Sequence, residues 1–527
     1  MKKLVSLILA ILMIFSCASS VMALDVDEIT PVNSWPFGDR YPMVYLDGIV
    51  SKEIYYKDPA NGTEPLFFPI NGEKILGSLK GYEDILSRAV LEEDVNLLAN
   101  FVKVWANDCF GDIALKEDGY TMSDKVYVSE TLLDPYNTGL SQGKFTFRYD
   151  CRHDPVDIAA ELKVFIDCVK KYTGKDKVEL IAPSYGSSIA LAYANEYPED
   201  LANDVDSMVI SVPVVNGVNI AGELFSGKVS IDAKALKNYL SGMITDDAIM
   251  ALISTLIKTG TLDFVLESLV DPAVNEVLMS AVREVILNIF GTMPSMWSFV
   301  DERYFEDALN FIYGEEGSEL RIKYAGLIDR ITYYHNNVLV RTEEIVESAI
   351  AKGVKTSVVA KYGINPIPIS KEGNFMGDGF VRLEVASFGA TSSMHQEKLP
   401  ADYTQAINCG HDHMSPDWCV DASTCLLPEN TWFIKNLDHS TKTNGYYSLL
   451  YAIAYEDLDV RKNALYPQFL VVPDYDGEAV VPLKDYMAGS TTPEEEEKET
   501  SWLEDFFAFL KGIFPRLIAM IKGWFSK

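Results

Sequence analysis

Acyl transfer through a covalent intermediate needs a nucleophile, a base to take its proton and an acid to orient the base. The sequence offers the nucleophile at Ala182-Pro183-Ser184-Tyr185-Gly186, a G-x-S-x-G elbow with alanine in place of the first glycine. A serine at the apex of such a turn sits in a strained backbone, so its second neighbours must be small for strand and helix to pass closely. Ala182 and Gly186 are small. The same pattern also arises where a serine only caps the following helix.

An acid and a base lie downstream in the order that this chemistry uses on an α/β sheet, Ser, Asp, His. Val354 to Tyr362 is an apolar strand pattern leading to Gly377-Asp378-Gly379, so Asp378 follows a strand between glycines, although Asp-Gly is also a common turn. The chain has six histidines: His153, His335, His395, His411, His413 and His439. His439 follows a strand pattern at Asn430–Asp438 and precedes a helical one at Gly445–Ala454, the placement a base requires. His411 and His413 compete for that role, behind a strand-like run at Tyr403–Cys409. With Asp412, Asp417 and Asp421 these two histidines also offer oxygen and nitrogen ligands for zinc or calcium, against the plainer reading of a solvated loop.

The elements that must position Ser184 are legible on both sides of it. Lys144–Arg152 reads as a strand and Val178 onward as the elbow strand. Between them Ile158, Leu162, Phe165, Ile166 and Val169 recur at helical spacing. This is one βαβ unit ending on the serine. An early strand is expected over Tyr41–Ile49 and a further one over Ser207–Val214, and the composition turns helical from Asn219 to about Ile350.

Here the chain resembles the lecithin:cholesterol acyltransferase family. Tyr149, Asp150 and Arg152 match its YDWR motif, with Cys151 where the family has tryptophan; Gly377-Asp378-Gly379-Phe380-Val381 stands where the family has GDGTV; and Pro294-Ser295-Met296-Trp297 is similar to a P-x-W segment lying between nucleophile and acid, with one residue more between proline and tryptophan. The elbow departs from the family, with Pro183 and Tyr185 where histidine and methionine are usual. The resemblance implies an α/β-hydrolase fold with a helical cap at residues 219–350, and lipid esters as substrates. It also implies an oxyanion pocket made by the backbone N–H groups of Ile49 and Tyr185, because Asp47-Gly48 stands where the family has its Pro-Gly loop. Hydrolase and O-acyltransferase both fit, as does a short-chain esterase. The rival from another class is a binding protein that keeps the fold without catalysis. No cofactor and no metal is implied by this chemistry.

Residues 1–23 form a signal-peptide pattern, two lysines, an apolar run and Val21-Met22-Ala23, so a secreted or extracytoplasmic protein is expected. Cys17 would serve a lipoprotein signal, for which Phe15 is a poor fit. Six of the seven cysteines lie beyond it, and an even number in an exported chain suggests disulfides, one of them within the cluster Cys409, Cys419 and Cys425. The net charge of −32 makes nucleic acid an unsuitable partner. The body is expected to span residues 24–490, followed by an acidic linker at 491–500. Residues 501–527 then carry aromatic and aliphatic side chains at helical spacing beside lysine and arginine, the pattern of an amphipathic helix in peripheral contact with a membrane.

Overall fold

A strand with apolar side chains on both faces must be covered on both, and its pattern is a continuous apolar run rather than an alternation. The strand Val178–Pro183 is buried at all six positions. It is an interior strand, third from one edge, of an eight-stranded sheet in the computed structural model. The structure describes residues 26–49, 52–61, 94–129, 143–229, 272–368, 373–456, 458–473 and 477–489, with residues 66, 82, 85, 88 and 370 between them. The signal pattern at 1–23, the linker at 491–500, the helix expected at 501–527 and residues 230–271 of the expected cap lie outside the described residues.

The strands are β1 (Met43–Leu46), β2 (Lys144–Phe147), β3 (Val178–Pro183), β4 (Val205–Ser211), β5 (Lys355–Tyr362), β6 (Thr431–Lys435), β7 (Phe469–Val471) and β8 (Val481–Pro482). Across the sheet their order is β8-β7-β6-β5-β4-β3-β1-β2. All neighbours are parallel except β7 and β8. The protein is therefore an α/β protein with a mostly parallel sheet.

Successive side chains of a strand face opposite ways, and the core divides accordingly. Val44, Leu46, Leu180, Ala182, Met208, Ile210, Val358 and Ala360 face one side, together with buried residues of α1 (Val95–Phe110), α2 (Pro155–Thr173) and α3 (Tyr185–Glu196). Met43, Tyr45, Ile181, Val209, Val359, Trp432 and Ile434 face the other. There they pack on Tyr446, Leu449, Leu450 and Ile453 of a later helix, Asn444–Tyr455.

Helix α2 shows why this segment forms as the sequence predicts. Asp154 caps it by accepting from Val156 N–H, Pro155 opens it, and Gly174 ends it at φ 70° behind Lys170 and Lys171. Between β4 and β5 the described residues are mainly helical: α4 (Asn219–Phe225), α5 (Pro272–Asn288), α6 (Phe305–Tyr313), α7 (Ala325–Asn337) and α8 (Thr342–Ala351). The remaining long helix of the sheet region, Asn444–Tyr455, is α9.

The run Tyr403–Cys409, expected as strand-like, is irregular. Two of its backbone N–H groups are taken by side chains instead of a neighbouring strand: Ala406 N–H goes to Asp421 Oδ2 at 2.7 Å and Ile407 N–H to Ser423 Oγ at 3.0 Å. The expected disulfide in its neighbourhood is not formed. All six described cysteines are thiols, Cys409 exposed and Cys419 and Cys425 buried. The thiols of Cys419 and Cys425 face backbone carbonyls, Cys419 that of Glu397 and Cys425 that of Ala422. Among the described residues no helix is long and apolar enough to cross a membrane.

Candidate active site

Strand β3 delivers Ser184 into a backbone conformation that residues with a side chain rarely adopt, φ 53° and ψ −127°, and helix α3 begins at the next residue. The turn closes because Gly186 has no side chain: a Cβ there would lie 2.9 Å from Leu46 Cβ and 3.1 Å from the Asp47 carbonyl oxygen. Ala182, Pro183, Tyr185 and Gly186 are buried, and Ser184 is partly accessible. As the residue preceding α3 it makes no capping bond with its side chain. The hydroxyl turns elsewhere, to His439 Nε2 at 2.8 Å.

His439 stands in the loop after β6, and its other ring nitrogen, Nδ1, lies 2.7 Å from Asp378 Oδ2. Asp378 is 1 % exposed. Its second carboxylate oxygen accepts from the backbone N–H groups of Phe380 at 3.1 Å and Val381 at 2.7 Å, while its carbonyl accepts from His439 N–H at 3.0 Å. The carboxylate is thus saturated by donors and fixed in direction. Because a carboxylate only accepts, Nδ1 must carry the ring proton and Nε2 is left to accept from Ser184. The structure brings Ser184, His439 and Asp378 together from the C-terminal ends of β3 and β6 and the loop after β5.

Comparison with known proteins adds no family. No family model matches the sequence, and no curated protein matches it. Among solved structures, one titled "The crystal structure of Tle4-Tli4 complex" is similar at 11% identity over 61% of this chain and 74% of that one. Its TM-score is 0.26, too slight a likeness to bear on fold or function.

Gly48 lies against the serine: a Cβ on it would be 3.6 Å from Ser184 Cβ. The loop at 47–49 is gripped from the end of β2. The Tyr149 hydroxyl faces the carbonyls of both Asp47 and Gly48, the latter at 2.9 Å, and the Cys151 thiol faces the carbonyl of Ile49. Tyr185 in turn reaches the carbonyl of His153 at 3.3 Å with its hydroxyl. Beneath them Arg152 and Asp150 form a fully buried bidentate pair, Nε to Oδ1 at 3.1 Å and Nη2 to Oδ2 at 2.9 Å, while Nη1 donates to the Ile113 carbonyl at 2.8 Å. This segment therefore acts as a bracket between the 47–49 loop and the elbow. Burial pushes the Asp47 carboxyl above its usual range, against the opposing pull of Lys442 and Arg148.

Lys361, near the end of β5, is a residue that motif reading passes over. It is fully buried, and Nζ donates to the carbonyls of Asp438 at 3.0 Å, His439 at 3.3 Å and Thr441 at 2.6 Å. Its ammonium also lies 4.4 Å from the centre of the Tyr446 ring. Burial pushes it down to about 8, opposed by the charges of Asp438 and Asp378. A lysine inside the run VKTSVVAKY was the available signal, since a charge in a strand covered on both faces requires a reason.

The competing histidines are engaged elsewhere. His413 is buried, with Nδ1 2.7 Å from Gln468 Oε1, and His411 lies beside Glu429 and Arg461. The acidic residues considered with them as metal ligands are also committed: Asp417 to Lys435 at 2.7 Å, Asp421 to Tyr403 at 2.9 Å, and Asp412 to Met414 N–H at 3.1 Å.

Proposed function

We propose that the protein is a serine ester hydrolase or O-acyltransferase of the α/β-hydrolase type, related to the lecithin:cholesterol acyltransferases, with the helical segment at 219–350 as its cap. The observation that carries this reading is the chain of contacts from Ser184 Oγ to His439 Nε2 at 2.8 Å and from His439 Nδ1 to Asp378 at 2.7 Å. It occurs at a serine whose positive φ serves no capping purpose.

In the reaction His439 Nε2 takes the Ser184 proton as Oγ bonds to the ester carbonyl carbon, and Asp378 holds the imidazolium that results. Collapse of the tetrahedral intermediate breaks the bond to the leaving alkoxide, which receives the proton from His439. Water or an acceptor alcohol then attacks the acyl-serine with His439 again as base, releasing an acid or a new ester and restoring the serine. Negative charge on the intermediate would be met by the backbone N–H groups of Ile49 and Tyr185.

Phospholipids and other lipid esters are the substrates this relationship favours, and the apolar composition of the helical segment suits an acyl chain. The amino-terminal pattern points to export, and residues 501–527 to a membrane surface. A fluorophosphonate probe tests the chemistry, because stoichiometric labelling requires an activated serine. Labelling lost in Ser184→Ala supports the proposal; an unlabelled, folded protein would mean a hydrolase-like scaffold retained for binding. A series of esters of increasing chain length then separates a lipase from a short-chain esterase.

A further inference from the structure

The loop Gly410-His411-Asp412-His413, which the reaction above does not use, brings together a second set of reactive side chains with Cys409. Ligand atoms of Cys409, His411 and His413 all lie within 4.8 Å of one another. Tetrahedral zinc, with Zn–S near 2.3 Å and Zn–N near 2.0 Å, holds such atoms about 3.5 Å apart, so roughly an ångström of closure would bring all three onto one ion.

The protonation of His413 is dictated by its surroundings. Gln468 donates its amide nitrogen to the carbonyls of Pro428 at 2.5 Å and Thr431 at 3.1 Å, which fixes its Oε1 as the atom facing His413 Nδ1 at 2.7 Å. An oxygen there accepts, so Nδ1 carries the proton and Nε2 bears the lone pair. His413 is 0 % exposed, and among the described residues Nε2 has no hydrogen-bond partner. A buried imine nitrogen without a partner is costly unless something binds it. An amide oxygen that fixes the tautomer of a histidine from behind is how metal-ligating histidines are commonly oriented.

The loop is also held in shape before any ion arrives. Gln405 accepts from His413 N–H at 2.7 Å and donates to the carbonyls of Ile407 at 2.8 Å and His411 at 2.9 Å. Gly410, at φ 83°, makes the turn between the first two ligands. Glu429 Oε1 lies 3.2 Å from His411 Nδ1 and can orient that ring in the same manner. A cation, Arg461, also faces the cluster, its Nη1 3.0 Å from His411 Nε2. Its charge is matched by Asp459 at 2.6 Å and Glu429 at 2.9 Å, so it can leave the imidazole without losing its partners. Glu429 and Arg461, which touch His411, also line a polar cleft with Asp459.

We infer that Cys409, His411 and His413 bind a zinc ion. One thiolate and two imidazoles form a mixed sulfur and nitrogen donor set that suits zinc better than calcium or magnesium. Three protein ligands leave the fourth position of the tetrahedron to water. His411 and His413 face Glu429 and Gln468, which lie just before β6 and β7, so the site is at the end of the sheet opposite that carrying His439.

The test uses the full chain, reduced and stripped of metal with a chelator, then titrated with zinc and separately with cobalt. The expected result is one zinc per chain, a thiolate-to-cobalt charge-transfer band, and protection of the Cys409 thiol from a thiol reagent by zinc. Cys409→Ser should abolish the band and lower zinc affinity at least about tenfold. It alters an exposed side chain, so the fold is retained; His413→Gln should likewise lower zinc affinity, with the Cys409 thiol still present. Substoichiometric zinc at saturation, an unchanged affinity in Cys409→Ser, or Cys409 found in a disulfide would each overturn the inference.

Discussion

Lys361 Nζ donates to the carbonyl of His439 at 3.3 Å, and to those of Asp438 and Thr441 on either side, so one ammonium holds the loop from which the imidazole projects. Lys361→Met should lower kcat about a hundredfold with little change in KM, since a displacement of an ångström costs about that much. The pH profile separates this from general destabilisation. Burial lowers the group from 10.5 to about 8, so between these values the folded chain has released the proton and the unfolded chain retains it. The stability contribution of Lys361 therefore rises with pH across that window. The neutral amine has two N–H groups for three carbonyls, so kcat should decline as pH rises through about 8 in the native protein. That decline should be missing in Lys361→Met.

Ser184→Ala should reduce ester turnover by more than about a thousandfold in a protein that melts as the native one does, since removing one partly accessible hydroxyl leaves little cavity. Turnover that survives in the folded variant would remove Ser184 from the chemistry.

His439→Ala should lose activity as fully as the serine variant, because members of one hydrogen-bonded unit fail together. His411→Ala should keep most of it. Steady-state rates of the two, at matched folded fraction, assign the base.

Asp150 and Arg152 are both wholly shielded from solvent. Asp150→Ala alone should cost about 3–5 kcal/mol in denaturant unfolding because it strands a buried guanidinium, and the double change with Arg152→Met should recover part of that loss. Additive losses in the double variant would mean that the pair is not coupled.

Deleting residues 501–527 should leave hydrolysis of a soluble short-chain ester unchanged and reduce co-sedimentation with anionic vesicles, more so at low salt. Equal co-sedimentation of full-length and truncated protein would place membrane contact elsewhere.

The meeting of Ser184, Asp378 and His439 is legible in the sequence because each follows a recognisable strand, with Ser184 between the small residues Ala182 and Gly186 and Asp378 between two glycines. The sheet is legible for the same reason, long apolar runs separated by well-capped helices such as α2. Tyr403–Cys409 misleads because its aromatic and β-branched residues match a strand while Asp421 and Ser423, many positions away, take two of its N–H groups. The grip of Lys361 is invisible to pattern because it is made to carbonyls, which every residue has. The expected cysteine bridge fails because spacing says nothing of where each sulfur points, and two of the three are buried against carbonyls.

The phenol of Tyr149 has a consequence beyond anchoring. A peptide unit is planar and trans, so its carbonyl and its N–H point in opposite directions. With the Asp47 and Gly48 carbonyls turned toward Tyr149, the N–H groups of Gly48 and Ile49 must point away from it. One phenolic proton thereby chooses the polarity of two successive peptide planes, presenting a positive edge on the far side of the loop. Without it, as in Tyr149→Phe, either plane is at liberty to flip, and a flipped peptide would offer an oxygen where an anion needs a donor.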